Sequence, residues 1–176
     1  MPSKSSLDFK GTCHPPPARN GKRQNSADLN AAEIATASLG KNGATDVLVE
    51  HDARAGPVGV VTSSWEGRAG ELRVSGRVTD PAAIQAIKTG SLRQLSLGTS
   101  VHTTEDGKVL MRTHDELSLC ERAARPGCNI DDIDGRRVAH TATFSKSPGK
   151  NTHATHAKHK SKQIHHGRKQ LEVYDV

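Results

Sequence analysis

The chain has 176 residues, 33% of them hydrophobic, and its only aromatics are Phe9, Trp65, Phe144 and Tyr174. That suits one domain with tails and argues against an aromatic-lined cofactor pocket. The net charge of +6 sits at the ends: residues 1–25 carry five Lys/Arg against Asp8, residues 141–176 carry seven against Glu172 and Asp175, and residues 26–140 are left at −3. A mildly acidic middle with one aromatic offers no basic stacking platform for nucleic acid. No apolar run approaches the ~18 residues of a membrane span, and the N-terminus has no signal-like apolar stretch. The cysteines Cys13, Cys120 and Cys128 contain no CxxC pair and fit neither a disulfide framework nor a zinc ribbon, as in a reducing compartment.

In chain order, Leu7 to Cys13 alternates as a short strand, and Pro15-Pro16-Pro17 and Asn20-Gly21 follow as a mobile loop. Asp28 as N-cap, Leu29, Ala32, Ile34 and Leu39 at helical spacing, and Gly40 as the stop predict a short helix. Asp46–Glu50, Val58–Val61 and Glu71–Val78 read as strands. The last alternates strictly, with Leu72, Val74, Gly76 and Val78 on one face. Asp80, Pro81 and Gly90 frame a second helix with its cap, its first-turn proline and its terminal glycine. Leu92–Thr104, Lys108–Thr113 and His114–Cys120 are further strands, the first two joined by an Asp106-Gly107 hairpin turn. The expected fold is mainly β (α+β): a small antiparallel β-barrel of about seven strands with a few helices outside it. The expected organisation is a basic N-terminal strand and Pro-rich loop (1–25), a β domain (26–140), and a disordered Lys/His-rich tail (141–176).

Three side chains could do chemistry. His51 ends a strand before an exposed turn, where an imidazole can reach a reacting group at a sheet rim. Ser96 lies between Leu95 and Leu97, which must face the other way; taken alone it is the outward position of an amphipathic strand. Glu116 shares a face with His114 and Ser118 by the same alternation and, taken alone, is a solvated carboxylate. Cys120 beside Leu119 reads as core packing. His153, His156, His159, His165 and His166 lie in a Lys-rich run without carboxylate or thiolate partners and read as a solvated tail, so no metal and no cofactor is expected.

Taken together, Leu48–Asp52 with Pro57-Val58-Gly59, Leu92–Gly98, and Glu116–Gly127 make the sequence similar to the capsid maturation proteases of herpesviruses and the prohead proteases of tailed phages, over roughly residues 45–130. In that family the histidine before the Val-Gly turn is the general base and the serine of the Leu-Ser-Leu-Gly strand is the nucleophile; His51 and Ser96 fall on those positions. The third member, a histidine in the herpesvirus enzymes and often acidic in phage relatives, falls on Glu116, with His114 as the alternative. The oxyanion-stabilising amide and arginine fall on Ala124 and Arg125. The resemblance implies a serine endopeptidase that processes scaffold or capsid precursors and cleaves itself. It also implies homodimerisation, and a place inside the procapsid in the host cytoplasm or nucleus. The competing reading is a noncatalytic capsid scaffold or nucleic-acid-associated structural protein, whose basic arms touch phosphate or scaffold nonspecifically.

Overall fold

The computed structural model describes residues 6–18, 28–40, 45–106 and 109–139. The expectations for the tail from 141, and for most of the loop after Pro17, lie outside these residues.

Eight strands form one mixed sheet: β1 (Leu7–His14), β2 (Thr45–Val49), β3 (Gly59–Glu66), β4 (Leu72–Val78), β5 (Gln94–Thr103), β6 (Val109–Cys120), β7 (Ile130–Ile133) and β8 (Arg136–Arg137). Their order across the sheet is β5-β6-β2-β3-β4-β1-β7-β8. β2 runs parallel to β6, and all the other paired strands are antiparallel. The expected closed, antiparallel barrel is therefore corrected to an open mixed order. Between β5 and the start of β7 there is an isolated bridge, Gln94 to Asn129. It is flanked by hydrogen bonds from Leu95 N–H to Cys128 O (3.0 Å) and from Ile130 N–H to Arg93 O (2.9 Å). The sheet curls far enough to touch itself there without a ladder to seal it.

The core lies on the concave side. Leu7, Phe9, Leu72, Val74, Val78, Leu95, Leu97, Leu117 and Leu119 are buried there, the period-two positions of their strands. Among the described residues two α-helices pack onto it. α1 (Ala31–Thr36) begins at a capping box in which the Asn30 side chain accepts from Glu33 N–H (2.9 Å) and the Glu33 carboxylate accepts from Asn30 N–H (2.8 Å). Asn30, not Asp28, is thus the cap. α2 (Pro81–Thr89) follows the sequence signals: Asp80 accepts from Ala83 N–H (2.8 Å), Pro81 opens the first turn, and Gly90 takes the left-handed conformation that ends it. Its Ala83, Ile84 and Ile87 enter the core.

Candidate active site

The site is built on three neighbouring strands. In the β5·β6 ladder Ser96 stands opposite Ser118 and Gly98 opposite Glu116; in the parallel β2·β6 ladder Leu48 stands beside Ser118. Leu95, Leu97, Leu117 and Leu119 turn to the core, so alternation sends Ser96, Gly98, Glu116, Ser118 and Cys120 to the opposite face. That face is covered here: Ser96 is 4% exposed, Ser118 0% and Cys120 2%. Ser96 is therefore enclosed, not the outward position of an amphipathic strand.

His51 reaches this face from the end of β2. Glu50 and His51 both have positive φ (49° and 57°), a left-handed pair that turns the chain back over β6. Glu50 is held by its own N–H to Leu119 O (3.0 Å) and by its carboxylate, which accepts from Glu121 N–H (2.6 Å). The His51 N–H donates to Ser118 Oγ (3.0 Å), and its ring Nδ1–H donates to Glu116 Oε1 at 2.5 Å. Ser118 Oγ in turn donates to Glu116 Oε2 (2.8 Å). His51 and Glu116 are both largely buried, with 22% and 14% side-chain exposure, so their attraction is little screened. The imidazole pKa is raised to about 10, by a hydrogen bond with the Cys120 side chain first and by Glu116 second, with burial opposing both. The arrangement can hold a proton on the ring and orient the ring through Nδ1.

The structure thus brings His51 to Glu116, with Ser96 on the adjoining strand of the same face. It sets His114 elsewhere. That ring lies 3.4 Å from Thr99 Oγ1 and lines a cavity of about 650 Å³ between α1 and the first half of β6, which also takes in Glu33 and Arg112 but not His51, Ser96 or Glu116. Arg125 follows Cys120 on the loop but donates from Nε to Asp28 (3.1 Å), in a pair whose side chains are 10% and 19% exposed. Ala124 on the same loop is exposed, and Ala123 N–H donates to the side-chain oxygen of Gln94. Next to Arg125 lies a buried histidine: His14 donates from Nδ1 to Pro15 O (2.7 Å) and accepts from Leu29 N–H at Nε2 (3.0 Å). Burial and then the Arg125 charge lower its pKa to about 4. Among the described residues no group of three or more His, Cys, Asp or Glu is arranged to hold a metal ion. The residue that sequence reasoning left without a role is Ser118, although its place on the Glu116 face was readable from alternation.

No family model and no curated protein matches the chain. Solved structures do match. A protease of Kaposi's sarcoma-associated herpesvirus, in complex with a hexapeptide phosphonate inhibitor, aligns with a TM-score of 0.52 at 17% identity, over 73% of this chain and 63% of that one. The same virus's protease aligns with a TM-score of 0.48 at 17% identity in an allosteric-inhibitor complex, covering 74% of this chain and 76% of that one. With a dimer disruptor the values are 0.47 and 18%, covering 70% and 74%. The chain spans less than two thirds of the first of these proteases. At such identity the likeness is one of architecture: the curled mixed sheet with its two helices has the fold of a herpesvirus protease.

Proposed function

We propose that the protein is a serine endopeptidase of the capsid-maturation type, with Ser96 as nucleophile, His51 as general base and Glu116 as the group that orients the base. The observation that carries this reading is the 2.5 Å bond from His51 Nδ1 to Glu116 Oε1, on the strand next to that of Ser96. A serine hydroxyl attacks a peptide carbonyl only when a neighbouring base takes its proton, and an imidazole does so only in the right tautomer. With Nδ1–H committed to a carboxylate, Nε2 is the nitrogen left to receive the Ser96 proton and pass it to the leaving amine. Water then hydrolyses the acyl-enzyme by the same route in reverse. Glu116 stabilises the imidazolium formed on the way. The Ala124 amide and Arg125 complete the reading as oxyanion donors, each worth about 3–4 kcal/mol when well placed; the Asp28 contact anchors the guanidinium.

The substrate that the resemblance supports is a capsid scaffold or capsid precursor, with the enzyme itself among its targets, inside a procapsid in the host cytoplasm or nucleus. The working form is a homodimer, and the basic arms make nonspecific contacts with nucleic acid or scaffold. A fluorophosphonate probe tests the chemistry. Labelling is expected in the wild type and lost in Ser96→Ala. Peptide cleavage should fall by about 10⁴-fold or more in Ser96→Ala and His51→Ala, and by about 10²–10³-fold in Glu116→Ala. Undiminished labelling of Ser96→Ala would overturn the assignment.

A further inference from the structure

We infer that Gly98 and Ser118 are positioning residues for the proposed hydrolysis: together they seat the Glu116 carboxylate against His51, Gly98 by leaving room for it and Ser118 by holding it. The inference rests on the serine endopeptidase reading, and it concerns how the orienting carboxylate is kept in place.

Directly opposed residues of an antiparallel pair project to the same side of the sheet. Gly98 is opposite Glu116, so a side chain at position 98 would stand where the carboxylate now lies. A Cβ built there would overlap Glu116 Oε1 and would sit 2.8 Å from Cδ and 3.0 Å from Cγ. The missing side chain lets the carboxylate lean across β5, beside the strand position of Ser96. What would have to yield is the end of a flexible side chain, not backbone, so a small substitution should displace the carboxylate more readily than the fold.

Ser118 acts from the other side. Its hydroxyl is fully buried, where an unmatched donor or acceptor is costly. Here it accepts from His51 N–H (3.0 Å) and donates to Glu116 Oε2 (2.8 Å), while Oε1 accepts from the ring Nδ1–H (2.5 Å). The backbone and the ring of one residue therefore both end on a single carboxylate, one of them through Ser118. This closed circuit fixes the left-handed backbone of His51 and the rotamer of Glu116 at once.

The test uses the full chain with Gly98→Ala and Ser118→Ala, and with each combined with Glu116→Ala. The His51 ring is titrated by NMR, which requires no catalysis; the titratable groups acting on it are Glu116 and Cys120, both from β6. Each single variant is expected to bring the His51 midpoint down by about one pH unit or more, and to lower kcat by about 10–100-fold with KM changed less than about twofold. On the Glu116→Ala background neither substitution should change kcat further, because the carboxylate they seat is gone. Should Gly98→Ala fail to fold while Gly98→Ala/Glu116→Ala folds, the clash with the carboxylate is confirmed; if both fail to fold, the inference is wrong. An unmoved His51 midpoint in the two single variants would also overturn it. A shifted midpoint in a protein that neither cleaves peptide nor takes up the fluorophosphonate rejects the endopeptidase reading and leaves the seating intact.

Discussion

The imidazole of His51 answers to two groups of one strand, and removing them should have different effects. Glu116 orients the ring and charges it; Cys120 contributes the largest share of the upward pKa shift to about 10. On the proposed mechanism the base must be neutral at the accepting nitrogen, so the ascending limb of kcat/KM against pH should lie well above that of an ordinary histidine. Cys120→Ala is expected to keep activity and move that limb to lower pH. A limb that stays put would mean that the thiol does not raise the ring's pKa, and activity lost at every pH would mean that it does more than tune the base. Much of this site was readable beforehand. His51, Ser96 and Glu116 stand out through the resemblance, and alternation puts Glu116 and Ser118 on one face. The choice between Glu116 and His114 was not readable, because both share that face and only the point where β2 ends decides which one meets the ring. The engagement of Arg125 with Asp28 was equally hidden, since those residues lie 97 positions apart in the chain.

β1 carries a second histidine with the opposite sign. His14 is pressed below the ordinary histidine range, to about 4, first by burial and then by Arg125. Its neutral form is built in, since Nδ1–H donates to Pro15 O and Nε2 accepts from Leu29 N–H. The unfolded chain takes up this proton near pH 6.5 and the folded chain only near 4, so stability should fall as pH drops across that interval. Urea unfolding at pH 7 and pH 4.5 measures the loss, and His14→Gln, whose amide oxygen can still accept from Leu29, should lessen it. A loss of unchanged size in that variant would place the acid sensitivity elsewhere. At this scale the sequence was most informative where caps and alternation are strong: α2 begins and ends at its signals, and β4 buries the face expected of it. It was least informative where elements are short. The β7–β8 hairpin turns at Asp134-Gly135 between two brief strands and went unread. The two strands expected over 108–120 are one long β6, because nothing near His114 interrupts its ladder with β5 except a bulge.

The order of strands in the whole sheet could not be read from local pattern, since alternation says which face a residue takes and not which strand lies beside it. The expected barrel does not close because β5 and the start of β7 meet in one isolated bridge, and its antiparallel pattern is broken by the β2·β6 pair: two strands running the same way need a long connection. Here that connection is β3, β4, α2 and β5 together. His51 and Glu116 are consequently 65 positions apart. Contacts between distant segments form late in folding, after the cost of closing the intervening loop has been met. Recovery of fluorophosphonate labelling after dilution from denaturant should therefore follow the slowest global phase seen by circular dichroism; labelling that returns earlier would contradict this. The same pairing has a bearing on how the proposed protease is made. On the ribosome, a nascent chain that has emerged only as far as β5 holds Ser96 and His51 but lacks the strand that carries Glu116, so on the proposed reading synthesis itself delays the first cut until β6 has followed.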